Sequence, residues 1–278
     1  MNRLQAWWER LGGAPAFDDP DENETHLDVQ PWQRGRFFDE HTFFHVHLPK
    51  AGGTALTNAL AGIVGWAHTI DKRPRPVHYK PNNLSRRTRA MTRLYTGHFL
   101  YGQHRYFTQK PIYISSVREP CDRFVSHYRY ILQSPDHPAH DRLQGKSIEE
   151  AFEIELVEDR GHVTNGQARA MYGKSRMGDT TGAEVVDHVR QNFLLVTPQG
   201  RIDKTINSIR RALDLPMIKS GRFNVGSGPD ASLTPELRAK LQQSNAIDLE
   251  VETWARESYA ENLERACDWL NQTVKAYR

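Results

Sequence analysis

The chain has 278 residues, of which 38% are hydrophobic, and a formal net charge of +3 at pH 7. This length suffices for one sizeable α/β core and does not require two domains. So small a net charge does not imply a general attraction to nucleic acid, and two cysteines, Cys121 and Cys267, give no disulfide framework. No stretch approaches the roughly 18 apolar residues of a membrane span, and the N-terminus lacks the apolar region of a signal peptide. We therefore expect a cytoplasmic protein.

Residues 1–40 are predicted to form an irregular, acidic lead-in to a single domain over residues 41–278. Residues 12–36 are rich in Gly, Pro and acidic side chains and show no helical or strand periodicity. The globular part is expected to start near His41.

Residues 43–56 predict a buried strand, a tight loop and a helix, in that order. Gly52 and Gly53 allow the backbone to come close to a ligand, and the first N–H groups of the helix favour an anion. Lys50 adds a positive charge and Thr54 a hydroxyl. The segment therefore predicts a phosphate-binding loop. The alternative is a plain strand-to-helix turn with a surface lysine.

This loop, His47-Leu48-Pro49-Lys50-Ala51-Gly52-Gly53-Thr54, resembles the H-[IV]-P-K-[TA]-G-G-T loop of sulfotransferases that use 3′-phosphoadenosine 5′-phosphosulfate (PAPS). The resemblance is closest to the branch that includes heparan sulfate 2-O-sulfotransferase and bacterial relatives. In that family the loop grips the 5′-phosphosulfate. The positions that the resemblance assigns to the donor are Lys50, Ala51, Gly52, Gly53, Thr54 and Ala55. A Walker loop differs, because its lysine follows the glycines.

The segment from Lys72 to Arg118 contains no Asp or Glu. Its cationic residues are Lys72, Arg73, Arg75, Lys80, Arg86, Arg87, Arg89, Arg93, Arg105, Lys110 and Arg118. Such a segment carries a positive potential that would attract an anionic donor, an acidic glycan or nucleic acid. For outer members such as Arg73 and Arg75, an ordinary solvated face is the alternative.

A histidine follows the short strand predicted at residues 94–96. In the sulfotransferase branch, a Gly-His pair after the donor loop carries the catalytic histidine, so the resemblance implies that His98 is the general base. An imidazole titrates near neutral pH and can accept the proton of an attacking hydroxyl. The branch pattern H-G-H reads Thr96-Gly97-His98 here, which leaves the role of the first histidine unfilled or moved. His104 and His47 are the alternative bases, and His47 is expected to pack behind the loop.

A second strand-to-helix junction follows an apolar, β-branched run at residues 111–117. Its sequence, Val117-Arg118-Glu119-Pro120-x-x-Arg123-x-x-Ser126-x-Tyr128, resembles the V-R-[DE]-P-x-x-R-x-x-S-x-[YF] signature of the same family. The arginine and serine of that signature bind the 3′-phosphate of PAPS, which assigns these roles to Arg118 and Ser126. An arginine at a strand tip can form a bidentate fork, and a serine on the second turn of the helix can point to the same phosphate.

Two further features bear on the site. Arg123 could join the phosphate site or bind Glu119 or another acid, and we favour the structural role. The segment Asn165-Gly166-Gln167-x-Arg169 is similar to an N-x-Q-x-R segment of bacterial relatives, and we expect it near the active-site cleft.

The later part of the chain predicts a strand at residues 193–197 and an amphipathic helix at residues 202–213. Relatives usually have Gly-x-x-Glu between these elements, whereas this chain has Thr197-Pro198-Gln199-Gly200. Residues 219–225 are predicted to form a basic loop, similar to the loop that closes over the donor near its 3′ end in relatives. Arg222 is either a donor contact or an ordinary surface residue.

We therefore predict an α/β domain with a central parallel sheet, a P-loop-like strand-loop-helix and helices on both faces, with the site at the carboxyl ends of the strands. The predicted activity is transfer of the sulfuryl group from PAPS to a hydroxyl of a glycan or other small acceptor. His98 acts as the base and Lys50 stabilises the leaving group. No Cys/His cluster suggests a metal. This prediction requires Lys50 and Arg118 to lie side by side.

Two other functions remain open. A kinase that uses ATP would need a metal-holding hydroxyl beside the loop lysine and a Walker B carboxylate. A non-catalytic module that binds anions or nucleic acid could use the basic segment. We expect no nucleic-acid partner and no membrane span, and the oligomeric state is left open.

Overall fold

The computed structural model describes residues 35–71, 81–158, 161, 163–218 and 232–277. These residues build a five-stranded, all-parallel sheet with the strand order β2-β3-β1-β4-β5. The strands are β1 (His41–Val46), β2 (Thr69–Asp71), β3 (Leu94–Gly97), β4 (Lys110–Val117) and β5 (Phe193–Pro198). The predicted α/β class with a central parallel sheet is confirmed.

Helices surround this sheet. In chain order they are α1 (Gly35–Glu40), α2 (Gly53–Val64), α3 (Arg86–Met91), α4 (Pro120–Gln133), α5 (His140–Leu143), α6 (Ile148–Val157), α7 (Gly166–Tyr172), α8 (Gly182–Asn192), α9 (Ile202–Ala212), α10 (Pro235–Ser244), α11 (Ala246–Glu257) and α12 (Tyr259–Lys275). Short 3-10 turns cover Trp66–His68, Pro81–Asn83, Gln103–Tyr106 and Gln199–Arg201. None of the helices in the described ranges combines the length and the apolar character that a membrane span requires.

Strand β1 lies at the centre of the sheet, and all six of its residues are buried. A parallel strand covered on both faces needs apolar side chains on both sides, which explains its near-continuous bulky sequence. Phe43 packs on one face with residues of α2, α9 and α12. Phe44 packs on the opposite face with residues of α7, α8 and α11. The prediction of helices on both faces is therefore confirmed.

Helix α1 belongs to the packed body. Phe37 and Phe38 are buried in the same core cluster as Phe43, and the Phe37 ring stacks on that of His41 with 4.7 Å between centroids. The predicted lead-in thus overlaps a helix that packs on the sheet. Residues 1–34 lie outside the described part of the chain.

The order and register of the central strands decide where the site lies. Val46 at the end of β1 pairs with Gly97 of β3 on one side and with Ser115 of β4 on the other. Because these strands are parallel, their carboxyl ends meet at one edge of the sheet. The residues that follow them, including His98 and Arg118, therefore lie on both sides of the loop that follows β1.

Candidate active site

The loop between β1 and α2 is tightly packed at its two glycines. Lys50 and Gly52 both adopt left-handed backbone conformations, with φ of 64° and 81°. A Cβ added at Gly52 would lie 2.4 Å from Cδ1 of Ile202, and one added at Gly53 would lie 2.3 Å from Cδ2 of His47. Any other side chain at these positions would displace the ring or helix behind the loop. The two glycines are thus required by the packing of His47 and Ile202 against the loop.

Helix α2 begins at this loop without a side-chain cap, because its N-cap residue is Gly52. Thr54 and Ala55 lie half-buried in its first turn, and the N–H groups of such a turn have no partner inside the helix. Ala51 differs from the other assigned positions. Its side chain is fully buried and its N–H donates to the carbonyl of Leu48 at 3.3 Å, so Ala51 shapes the loop.

Lys50 and Arg118 lie side by side, as the proposed chemistry requires. Nη1 of Arg118 donates a hydrogen bond to the carbonyl oxygen of Lys50 at 3.3 Å. Burial lowers the pKa of Lys50, and the charge of Arg118 lowers it further. Two partly desolvated cations at one sheet edge form a local positive field that favours an anion.

Helix α4 brings its own side chains to these cations. Nζ of Lys50 lies 4.3 Å from the centre of the Tyr130 ring, a cation–π distance. Ser126 is half-buried and lies one turn before Tyr130, so both are on the helix side that faces the loop. Burial lowers the pKa of Arg118, the nearby charges of Asp122 and Glu119 raise it in part, and the charge of Arg129 lowers it slightly.

Tyr130 and Arg129 were missed in the sequence. The only available signal was their spacing of four and three residues from Ser126, which puts them on the same face of a helix. That signal is weak, because it also fits any exposed helical residue.

Arg123 has the structural role that the sequence favoured. Its side chain is buried, and Nη2 lies 3.3 Å from Oδ2 of the fully buried Asp248 and donates to the carbonyl of Gly161 at 2.8 Å. The acid was not named in advance, because Asp248 is distant in the sequence and belongs to α11. The side chain of Gln167 contacts the backbone of Arg118, so the segment 165–169 lies next to one of the predicted site residues.

His98 lies exposed at the sheet edge, beside the loop. Its Nδ1 is 2.7 Å from the carbonyl oxygen of His47. Since a carbonyl oxygen only accepts, Nδ1 carries the proton, and Nε2 holds the lone pair in the neutral ring. This is the tautomer that a general base needs.

Thr96, the residue before Gly97, lies beside a histidine of the neighbouring strand β1. Thr96 pairs in register with His45 of β1, and Nδ1 of His45 lies 2.9 Å from Oγ1 of Thr96 and 3.0 Å from Oγ1 of Thr57. The His45 ring stacks on His47 at 5.3 Å, and the His47 ring lies 5.0 Å from His98. An imidazole on the neighbouring strand thus stands beside the place where the branch has its first histidine.

The two alternative bases lie in less accessible positions. Nδ1 of His104 is 3.0 Å from the hydroxyl of Tyr113, in an aromatic cluster that includes Phe44. Burial lowers the pKa of His104. The His47 ring is buried against Gly53, which agrees with the expectation that it packs behind the loop.

Several sequence-based assignments concern other parts of the chain. Arg222 lies outside the described residues. In the segment Thr197-Pro198-Gln199-Gly200, the Cγ of Gln199 would be 3.2 Å from a Cβ added at Gly52, so Gln199 borders the loop. Within the described ranges, no group of three or more His, Cys, Asp or Glu side chains could hold a metal ion.

Two comparisons with known proteins bear on this site. A protein-family model described as a sulfotransferase family matches residues 34–172, which is half of the chain and includes Lys50, His98 and Arg118. Heparan sulfate 2-O-sulfotransferase hst-2 from Caenorhabditis elegans is 33% identical to this chain over 103 residues. That match covers 32% of this chain and 32% of the relative.

Proposed function

The chain belongs to the sulfotransferase family, and we propose that it transfers the sulfuryl group of PAPS to a hydroxyl of a glycan. The choice of donor follows from the likeness of both strand-to-helix motifs to those of PAPS-dependent enzymes. The choice of a glycan draws on the similar C. elegans protein, whose name gives heparan sulfate as its substrate. We assign the activity to a single domain over residues 41–278.

One observation carries the proposal. Nη1 of Arg118 and the carbonyl of Lys50 are 3.3 Å apart, so two cationic strand tips meet at one edge of the sheet. A nucleotide with a charged group at each end of its ribose suits such a pair. Lys50 with the first N–H groups of α2 would bind the 5′-phosphosulfate, and Arg118 with Ser126 would bind the 3′-phosphate.

The residues then divide the chemistry between them. The donor supplies an activated sulfuryl group, whose sulfur forms a bond to the acceptor oxygen while its bond to the bridging oxygen breaks. Nε2 of His98 takes the proton of the acceptor hydroxyl. Lys50 and the loop N–H groups stabilise the negative charge that grows on the bridging oxygen. As in phosphoryl transfer, alignment and electrostatics contribute most of the rate.

The acid-free segment from Lys72 to Arg118 carries exposed positive charge. Arg86, Arg87 and Arg105 belong to the acid-free segment and are exposed. His98 is exposed within the same segment. An acidic glycan fits this distribution better than a neutral alcohol does.

Calorimetric titration with 3′,5′-adenosine bisphosphate and with ATP–Mg²⁺ tests the donor assignment. We expect the bisphosphate to bind at least about tenfold more tightly, a difference of about 1.4 kcal/mol. Tighter binding of ATP–Mg²⁺ would support a kinase instead. Steeply salt-dependent binding of duplex DNA, without preference for the bisphosphate, would support a non-catalytic module.

The base assignment is tested by the rate of sulfuryl transfer from PAPS to a panel of acidic and neutral glycans. His98→Ala should lower turnover by about 10²- to 10⁴-fold while the affinity for the bisphosphate is retained. His104→Ala serves as the control, since that ring lies in the aromatic cluster. A loss below about tenfold in His98→Ala would show that the base lies elsewhere.

A further inference from the structure

Gln167 holds the backbone of Arg118 at the point where the sheet pairing of β4 ends. Its Oε1 accepts a hydrogen bond from the N–H of Arg118 at 3.0 Å, and its Nε2 donates to the carbonyl of Arg118 at 2.8 Å. The last paired residue of β4 is Val117, opposite Pro198. The amide of Gln167 therefore makes the two bonds that a neighbouring strand would make if the sheet continued by one residue.

Gln167 cannot contact a ligand itself, because its exposed fraction is 0%. Its effect on the site must pass through Arg118. The guanidinium of Arg118 is directed to the loop by its bond to Lys50, and its Nε is buried without a hydrogen-bond acceptor within the described part of the chain. A buried N–H of this kind is costly until an anion or another acceptor reaches it.

Gln167 is in turn held by a buried carboxylate. Asp248 accepts hydrogen bonds from the backbone N–H groups of Gln167 at 3.1 Å and Ala168 at 2.7 Å, at the start of α7. The same carboxylate pairs with Arg123 of α4. Asn165 adds a second connection to α11, because its side-chain oxygen accepts hydrogen bonds from the N–H groups of Ile247 and Asp248. The first turn of α7 is thus fixed to α4 and α11.

We propose that Gln167 is a positioning residue for recognition of the 3′-phosphate: it fixes the backbone of Arg118 so that the guanidinium lies beside the lysine loop. The inference rests on the proposed function. It gives the segment 165–169 a role that its sequence did not reveal. Fixing the arginine in advance lowers the ordering cost of binding a phosphate with a planar, bidentate side chain.

Two substitutions separate positioning from general stability. Gln167→Ala removes both bonds to Arg118. Gln167→Glu retains the shape and the acceptor for the N–H of Arg118, and in its ionised form it has no proton to donate to the carbonyl. Gln191→Glu is the matched control, because Gln191 is exposed near the end of α8.

Calorimetry with 3′,5′-adenosine bisphosphate and adenosine 5′-monophosphate gives the readout. In both Gln167 variants we expect the affinity for the bisphosphate to fall about tenfold or more, while that for the monophosphate changes less than about threefold. The preference for the 3′-phosphate therefore falls, and it is unchanged in Gln191→Glu. A merely structural role would lower both affinities by one factor, and an unchanged preference in the Gln167 variants overturns the inference. If Gln167→Ala does not fold, Gln167→Glu alone decides.

A structural readout distinguishes failure of this inference from failure of the proposed function. If the unmodified protein shows no preference for the bisphosphate, the donor assignment is wrong, and ligand-free crystal structures of the unmodified protein and Gln167→Glu decide the positioning role. An Nη1 of Arg118 that has moved away from the carbonyl of Lys50 in the variant supports the role. An Arg118 that superposes in both structures overturns it.

Discussion

Lys50 and Arg118 are neighbours in space, yet the structure holds them by different means. Lys50 belongs to a loop shaped by its own glycines, its own backbone and the adjacent His47 and Ile202. Arg118 is held by Gln167, and through it by helices that lie far along the chain. The lysine end of the site is therefore shaped mostly by its own segment, with a distant contact at Ile202, whereas the arginine end depends on a network of distant residues. Stability and activity should respond differently to changes at the two ends.

The largest expected effect on stability is at the arginine end. Arg123→Ala leaves the buried carboxylate of Asp248 without its cation, and we expect the free energy of unfolding to fall by about 3–5 kcal/mol. Arg190→Ala is the matched control, because Arg190 and Asp187 are also 3.3 Å apart but are both exposed. Breaking that pair should cost only about 0–1 kcal/mol.

Denaturant unfolding of both variants measures this difference. Equal losses of unfolding free energy would mean that the buried pair Arg123–Asp248 contributes no more than the exposed pair Arg190–Asp187. The arginine end would then not depend on its buried ion pair. If Arg123→Ala lowers the free energy of unfolding and also weakens the preference for the 3′-phosphate, the buried network contributes to ligand binding at the arginine end as well as to stability.

The lysine end should show the opposite response. Lys50→Ala is expected to lower turnover by about 10²- to 10³-fold, because in the proposed mechanism Lys50 stabilises the charge on the leaving oxygen. The free energy of unfolding should hardly change, since burial and Arg118 both disfavour the charge of Lys50 in the folded state. Initial rates and denaturant unfolding of one preparation test both statements. Lys240→Ala, an exposed lysine paired with Glu153, controls for loss of a positive charge, and full turnover in Lys50→Ala would remove the loop assignment.

Alanine substitutions at two glycines of α2 should change stability by smaller amounts and in opposite directions. Gly53→Ala would bring a Cβ within 2.3 Å of the His47 ring, and overpacking of this kind costs about 1–3 kcal/mol. Gly62→Ala meets no atom within 4 Å, so it should stabilise the helix by about 0.5–1 kcal/mol. Thermal melts of both variants, with the affinity for the bisphosphate, give the comparison. Loss of stability in Gly62→Ala together with none in Gly53→Ala would contradict the tight loop.

The smallest expected effect is a dependence of stability on pH. Burial lowers the pKa of His127 despite its contact with Glu155, and the charges of Arg123 and Lys50 lower it further. The folded protein therefore resists protonation that the unfolded chain accepts, so stability is lost as the pH falls below about 6.5, the ordinary pKa of histidine. Unfolding measured between about pH 7.5 and about pH 5.5 should show this slope, and His127→Gln should reduce it. The same slope in His127→Gln would place the titrating group elsewhere.

Much of the site followed from short stretches of sequence. The strand-loop-helix at residues 43–56 could be predicted because alternating apolar residues, paired glycines and a helical pattern are all local signals. The junction at Arg118 could be predicted for the same reason, with Pro120 at the helix start. Gln167 was placed near the cleft only by resemblance, and its contact with the Arg118 backbone was not predicted.

The amino-acid sequence by itself determined which groups are available for the chemistry and on which elements they lie: a lysine in a glycine loop, an arginine at a strand tip and a histidine after a Gly. Only the tertiary structure decided which of them meet and how firmly each is held. The strand order brings His98, Lys50 and Arg118 to one edge, and the burial of Asp248 ties the arginine end to α11. The physical reason is that hydrogen bonds and ion pairs between distant residues form only after the apolar faces of the helices have packed on the sheet, and no local pattern records which polar groups are then left adjacent.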